Sequence, residues 1–463
     1  MAGQRKRTGI GLIDMQIAGI TSKTEIRHAK YRVFKHIQVK SNNFRVTLTA
    51  TALMLLVTAV LGADSSRSTD ERISELERKV DLLTRQLEKN TLGNIFAKPA
   101  DSVHGMGPAA SKVYSSDGIS IGGYGEALYQ SKDGADDVAD FVRAVLYLGY
   151  KYSDKWLLNT EIEFEHASTD KEGSTSVEFA YLDYLHADEL NFRVGLLLIP
   201  MGFINELHEP TVFLSARRPD VENRIIPTTW RENGLGFFGD IESISYKAFV
   251  VNGLKADGFT PKGLRGGRQK GSEAIANDLA VVARVDWHAT TAFLIGGSAY
   301  YGNSGQDLSL SVPTEIYEAH AEYRSRGLHL RALGTVANLD DIAELNRILA
   351  TPDDGSATPI DSEIDSVGEE MGGWYVEMGY DVFTHFDTDE CSLTPYVRYE
   401  EYSTQEKIPP GFLASGMNDV EVITVGLNFK PLDQIVFKAD YQFYDDSASS
   451  TGDQFNLAMG YVF

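Results

Sequence analysis

Residues 454–463 read QFNLAMGYVF. Phe455, Leu457, Met459, Tyr461 and Phe463 fall at every second position, with Asn456, Ala458, Gly460 and Val462 between them. A period of two is strand geometry, so the five large apolar side chains share one face and the small or polar ones share the other. Such a face meets a second sheet in a soluble sandwich, or lipid around a closed barrel. The segment alone allows both.

Working backward, runs of about ten alternating residues recur from Gly118 onward, each ended by a turn. The pattern predicts strands near 119–130, 140–152, 155–166, 176–187, 190–200, 234–240, 243–253 and 278–288. Eight more follow near 291–301, 313–324, 327–337, 372–384, 392–402, 420–430, 433–444 and 454–463. The connections decide between the folds. After even-numbered strands they are short, as at Ser153-Asp154, Asp188-Glu189 and Pro431-Leu432. After odd-numbered strands they are often long: 201–233, 254–277, 338–371 and 403–419. A barrel whose ends face different compartments sorts its loops this way, with short turns in the periplasm and long loops outside. A sandwich has no reason to.

The strand faces agree. In KWLLNTEIEFEHA, Trp156, Leu158, Ile162 and Phe164 alternate with Asn159, Glu161, Glu163 and Glu165. In DLAVVARVDWH, Leu279, Val281, Val285 and Trp287 oppose Arg284, Asp286 and His288. The expected fold is therefore all-β: a 16-stranded antiparallel transmembrane β-barrel over residues 118–463. Its last strand must close on its first, leaving no edge. A terminal aromatic after alternating hydrophobics resembles the signal by which bacterial outer-membrane proteins are recognised. Phe463 and Tyr461 are accordingly expected to engage the barrel-assembly machinery, with lipid around their strand.

The front of the chain reads differently. Residues 1–63 carry a balance of +8, and the run VTLTATALMLLVTAVLGA (46–63) follows Arg45 and ends in small residues. This is the pattern of a secretory export signal. The rest of the chain then carries −31 of the net −23, which argues against nucleic-acid partners. Within residues 64–92, Ile73, Leu76, Val80, Leu83 and Leu87 step by three and four. That is the seam of a coiled-coil helix, periplasmic by the parity of the strands, and the expectation is a homo-oligomer; the alternative is a lone amphipathic helix resting on the barrel. Residues 93–117 hold Pro, Gly and Ser and read as a linker. Cys391 is the sole cysteine, so no intrachain disulfide forms.

The stretches GGYGEALY (122–129), NFRVGLLLIPMGFINELHEP (191–210) and RRPDVENRIIPTTWRENGLGFFG (217–239) together resemble the phosphate-selective porin O and P family. The resemblance spans roughly Gly118 to Phe463. It implies a bacterial outer-membrane channel of 16 strands, usually a trimer, and some relatives carry a periplasmic coiled coil. Members line their pores with arginines and a lysine cluster. This chain departs from that pattern: its inward faces mix Arg143, Lys151, Arg193, Lys247, Arg284 and Arg398 with Glu161, Glu163, Glu165, Asp286 and Glu400.

A 16-stranded barrel is too wide for its wall alone to discriminate small solutes. The long stretch 201–233 is expected to fold inward and narrow it. Pro210, Pro219 and Pro227 stiffen it, and Arg217, Arg218, Arg224 and Arg231 stand against Glu206 and Glu209 in a transverse field. Guanidinium groups match phosphate and carboxylate geometry, so the expected solutes are small, polar and anionic. The structural alternative is that these arginines only pair with neighbouring acids. No nucleophile, base and orienting group converge in the sequence, and His208 and His320 have no partner at ligand spacing. No enzyme activity, cofactor or metal is expected; a structural tether or a barrel enzyme are the rival readings.

Overall fold

The computed structural model describes residues 102–463 except 169–172, 351–365, 387–390 and 449–450. The expected export segment 1–63 and coiled coil 64–92 lie outside the described residues. Sixteen strands follow in chain order. They are β1 (Gly118–Lys132), β2 (Val138–Lys151), β3 (Trp156–Glu165), β4 (Thr175–Ala187), β5 (Leu190–Leu198), β6 (Arg231–Ile241), β7 (Ile244–Asn252) and β8 (Leu279–Thr290). The other half is β9 (Phe293–Asn303), β10 (Pro313–Ser325), β11 (Leu328–Leu339), β12 (Glu370–Tyr380), β13 (Ser392–Lys407), β14 (Asp419–Leu432), β15 (Ile435–Asp446) and β16 (Gln454–Val462). Each pairs antiparallel with its chain neighbours, and β16 returns to β1, closing the barrel.

Closure is built from aromatic rings over glycines. Gly125 pairs with Tyr461 across the seam, and Phe463 and Gly123 exchange backbone hydrogen bonds of 2.9 and 3.1 Å. A Cβ on Gly123 would lie 2.7 Å from the Phe463 ring, and one on Gly125 would lie 2.5 Å from Cζ of Tyr461. The glycines give the rings their resting place, and the rings cover backbone that the glycines leave bare. The opposite face of β16 is polar and buried: Asn456 donates to Asp440 at 2.7 Å and to Gln442 at 3.0 Å.

Around the outside, Val194, Leu235, Phe237, Val281, Val285, Trp287, Val376, Met378, Ile423, Val425, Leu427, Phe437, Phe455, Leu457 and Met459 are exposed. Each such side chain forfeits about 1.5–3 kcal/mol if left in water, so the belt requires an apolar surrounding. Inside, Asn159, Glu161, Glu163, Asp183, Arg193, Arg398 and Glu400 are buried. The alternation thus puts grease outward and charge inward, the inverse of a soluble core.

Connections sort by rim. Both the start of β1 and Phe463 lie at the rim of the short turns, such as 188–189, 242–243, 326–327 and 433–434. The 381–391 connection at that rim is longer. The opposite rim carries 199–230, 253–278 and 340–369. Two expectations change. β6 starts at Arg231, so the long stretch runs 199–230 and Arg231 belongs to the wall. Residues 102–117, read as linker, pack inside the barrel: Met106, Ala109, Ala110, Ser111 and Val113 are all buried.

Candidate functional site

The 199–230 loop (L3) leaves β5 and turns into the lumen. Its base is clamped where Ile199 N donates to Trp230 O at 3.0 Å. Asn205 bridges the same pair, donating to both carbonyls at 2.6 and 2.9 Å and accepting from Trp230 N at 2.6 Å. Beyond the clamp the loop touches walls all round the barrel. Arg284 of β8 donates to Gly202 O, Phe203 packs edge-on to His320 of β10, and Lys247 of β7 holds Glu206 at 2.6 Å. Lys430 and Lys438 donate to the carbonyls of Thr211 and Ser215, and Lys438 sits 3.6 Å over the Phe213 ring. The helix α2 (Asp220–Arg224) follows; Glu400 accepts from Val221 N, and Tyr375 donates to Glu222 at 2.7 Å. L3 therefore crosses the lumen, as its length and parity predicted.

The six expected wall residues, Arg143, Arg193, Arg284, Arg398, Glu161 and Glu163, all face inward, and the cations among them are paired. Arg193 grips Asp183 through two bonds of 2.8 and 2.9 Å. Arg143 joins Glu126 at 3.2 Å and Glu163 at 3.1 Å. Arg284 meets Asp286 at 2.8 Å, and Arg398 meets Glu400 at 2.7 Å and Glu377 at 3.3 Å. Arg231, expected at the constriction, instead pairs with Glu178 on the wall at 2.6 Å. Pairing is how a wall of buried charge stays satisfied.

Three L3 arginines behave otherwise. Among the described residues, Arg217, Arg218 and Arg224 have no carboxylate within 4.0 Å. Arg217 reaches the amide oxygens of Gln130 and Gln454 at 3.4 Å, and Arg218 reaches only His208 O at 3.4 Å. Burial, and then the neighbouring Arg143, hold the Arg218 guanidinium below its usual range. The 253–278 loop (L4) adds Arg265 and Arg268, also without a carboxylate among the described residues. L4 reaches across the mouth to β13, where Thr404 donates to Pro261 O at 2.5 Å. Between L3 and L4 lies a cleft of about 510 Å³ lined by Arg224, Lys262, Arg265, Arg268 and Lys270, with no acid in its lining.

At the short-turn rim the segment 102–117 fills the half of the lumen bounded by β1 to β7. Its helix α1 (Lys112–Ser115) packs on β1, β2 and β3. Asn159 of β3 donates to Ala110 O at 2.9 Å, Tyr114 donates to Asp183 at 2.8 Å, and His104 lies 3.7 Å from Asp240 of β6. Glu209, expected at the constriction, accepts from Ala109 N at 3.0 Å and from Ala110 N at 3.2 Å. Burial pushes its carboxyl up to about 8, the two amides opposing and Glu161 adding to the rise.

His320 is not without partners: it lies 2.6 Å from Glu318 and 2.9 Å from Asp286. Ser298 donates to Glu318 rather than to the imidazole, so no nucleophile–base contact results. His208 lies 3.3 Å from Glu161. The sequence reading missed Glu178 because β4 carries an irregularity: register shifts between Glu161 and Ile162 of its partner, and Glu178 and Phe179 both point inward. Simple alternation would send one of them to lipid. It also missed Arg265 and Arg268, which LRGGRQKG displays only as a charged turn.

No family model matches this chain. A protein of Aquifex aeolicus (strain VF5), described as uncharacterized, is 36% identical over 369 residues, covering 78% of this chain and 83% of that protein. Among solved structures, the Salmonella typhi OmpF complex with daunomycin aligns with TM-score 0.48 at 14% identity, over 74% of this chain and 97% of that one. A loop-deletion mutant of OmpT, an outer-membrane protein of Vibrio cholerae, gives 0.47 at 12% identity, over 74% and 99%. The outer-membrane channel DcaP of Acinetobacter baumannii gives 0.46 at 12%, over 74% and 97%.

Proposed function

We propose, for this chain and for the Aquifex aeolicus protein to whose family it belongs, the role of an outer-membrane channel for small hydrophilic solutes, with preference for anions. The apolar belt supports a membrane setting. Sorting of the loops supports short turns and both barrel ends in the periplasm, with L3 and L4 entered from outside. One observation carries the preference: the wall arginines Arg143, Arg193, Arg231, Arg284 and Arg398 are each paired with a wall acid, whereas Arg217, Arg218 and Arg224 have no carboxylate within 4.0 Å among the described residues. A paired charge projects little field beyond its own partner. An unpaired guanidinium in a narrow passage attracts anions and repels cations, and its planar fork suits phosphate and carboxylate alike. The protein is read as a channel without a catalytic step and without a cofactor, assembled as a homo-oligomer, most simply a trimer, through the coiled-coil seam expected from the sequence of residues 64–92.

The test is reversal potential across a planar bilayer in a tenfold KCl gradient. Wild-type protein should reverse on the anion side of zero. Replacing Arg217, Arg218 and Arg224 together by Ala should move reversal toward the cation side, with the barrel still folded. A folded triple variant that keeps wild-type reversal removes the filter from L3.

A further inference from the structure

L3 and the segment 102–117 divide the inner lumen between them. The segment lies against β1 to β7, and L3 from Thr211 onward lies against β12 to β16 and β1. They meet at Glu209, whose carboxylate takes the Ala109 and Ala110 amides. The segment is made to fit there: HGMGPAAS (104–111) is mostly small residues, and a Cβ on Gly107 would lie 2.5 Å from Cδ of Glu209.

The two elements differ in attachment. L3 is tied at both ends to strands and clamped by Asn205. Among the described residues, the segment joins the barrel wall through the chain where it enters β1, at Gly118, which has φ +75° and open space around its Cβ position. That conformation suits glycine and few other residues. Its hold on the lumen otherwise consists of the side chains of Met106, Ala109, Ala110 and Val113, the edge-on packing of His104 on Phe238, and hydrogen bonds with Glu209, Asn159, Asp183, Arg193 and Ile121 O, all of which must break for it to leave.

We propose that residues 102–117 are an internal plug that closes the periplasmic mouth against L3 and opens the channel by swinging out about Gly118. The inference rests on the channel reading above. The residues before β1 thereby become a gate: a pull from the periplasmic side of the plug opens the pore, and release lets it reseat on Glu209.

The experiment pins the plug in the full-length protein. A Cβ at Gly149 of β2 would lie 2.6 Å from Cβ of Val113, close enough for a disulfide after a shift of about 1 Å. Val113→Cys with Gly149→Cys, in a Cys391→Ser background, is reconstituted in planar bilayers and recorded oxidised and then reduced. Ala110→Asp is recorded beside it, since Ala110 is buried and a larger, charged side chain there does not fit the seated plug. Heat-shifted mobility on gels confirms a folded barrel in each. The expected result is a fall of about tenfold or more in open probability on oxidation, recovery on reduction, and a rise in Ala110→Asp. Equal conductance in pinned, reduced and Ala110→Asp protein overturns the plug and leaves the channel standing. If no folded form conducts, Ala110→Asp included, the channel reading falls and the plug falls with it.

Discussion

Glu209 offers the sharpest perturbation, because three side chains at one position give three outcomes. Its carboxylate satisfies two buried amides, those of Ala109 and Ala110. Glu209→Ala orphans both in the closed form, at about 1–3 kcal/mol each. Taking about 2–4 kcal/mol for the pair, the closed-to-open ratio should fall by about 30- to 1,000-fold, at tenfold per 1.4 kcal/mol. The pH dependence has a definite sign. Burial holds the acid at about 8 in the closed form, against the two amides, which lower it; on the plug reading, withdrawal lets water reach the carboxyl, and the relief of burial outweighs the loss of the amides and lowers it toward its ordinary value. The closed form therefore binds the proton more tightly. That contribution to closure is whole below about 4.5 and is lost as pH rises through about 8. His104 works in the opposite sense. Burial and then Arg193 hold it down to about 4 in the closed form, so its contribution is whole above 6.5 and is lost as pH falls through about 4. Between pH 6.5 and 9, among these two, only Glu209 changes; Glu161 and Tyr147 are the titratable groups facing it. Open probability in bilayers should rise across that window in wild type. Glu209→Gln keeps the acceptor and removes the charge, so it should stay closed at pH 9. Glu209→Ala should be open at both ends. Wild type with equal open probability at pH 6.5 and 9, or Glu209→Gln that opens as wild type does, refutes the latch.

Other outcomes follow from the wall, the seam and the front of the chain. Arg398→Met leaves Glu377 and Glu400 without their shared partner and should cost about 3–5 kcal/mol in urea unfolding from vesicles, most of it recovered by adding Glu377→Gln and Glu400→Gln; an unchanged midpoint contradicts the pairing argument. Gly125→Val drives a branched side chain into the Tyr461 ring and should lower the yield of folded barrel, and adding Tyr461→Ala should restore part of it. Deleting Phe463 should lower folded yield and leave the conductance of what does fold unchanged; normal yield with altered conductance contradicts an assembly role. Asp at both Leu76 and Leu83 should reduce the oligomer mass in detergent if that seam joins copies of the chain, and unchanged mass gives the helix another role.

The sequence carried the barrel well because a membrane wall repeats one rule sixteen times. Each strand of about ten residues sends alternate side chains to lipid and lumen, and β3 and β16 can be read residue by residue. L3 was legible by parity and length. What could not be read were the places where that rule breaks. The irregularity in β4 hides Glu178, and with it the partner that takes Arg231 out of the filter. The start of β6 reads as loop because Arg231 and Glu232 are both charged and both buried, each satisfied by groups distant in sequence. The plug reads as linker for a physical reason: chain that must thread a crowded lumen needs the same small residues as chain that must stay flexible. Composition cannot separate the two; only the partners Glu209, Asn159 and Asp183 do.

Those partners also explain why the net charge is a poor guide to the solute. The chain beyond residue 63 carries −31, which by itself suggests a cation path. Inside the barrel, however, Glu126, Glu163, Glu178, Asp183, Glu206, Asp286, Glu377 and Glu400 each face a cation. Such a pair is a short dipole whose field decays faster than that of a lone charge, and salt at 0.1 M screens what remains beyond about 10 Å. Acids on the outer loops act across water and are screened in the same way. On the proposed reading, what a solute meets at close range is the charge left unpaired; among the described residues this includes Arg217, Arg218 and Arg224 on L3 with Arg265 and Arg268 on L4, against the L3 acids Glu209, Asp220 and Glu222, which are held by amides and tyrosines. A single unit charge about 5 Å from the path acts on an ion with about 0.8 kcal/mol even at the dielectric of water. The sign is opposite for anion and cation, so one arginine separates them by about 1.6 kcal/mol, roughly tenfold, before any low-dielectric strengthening. On that reading, guanidiniums beside the path weigh more than acids elsewhere. For that reason removing three of them should shift selectivity, whereas removing surface acids should not.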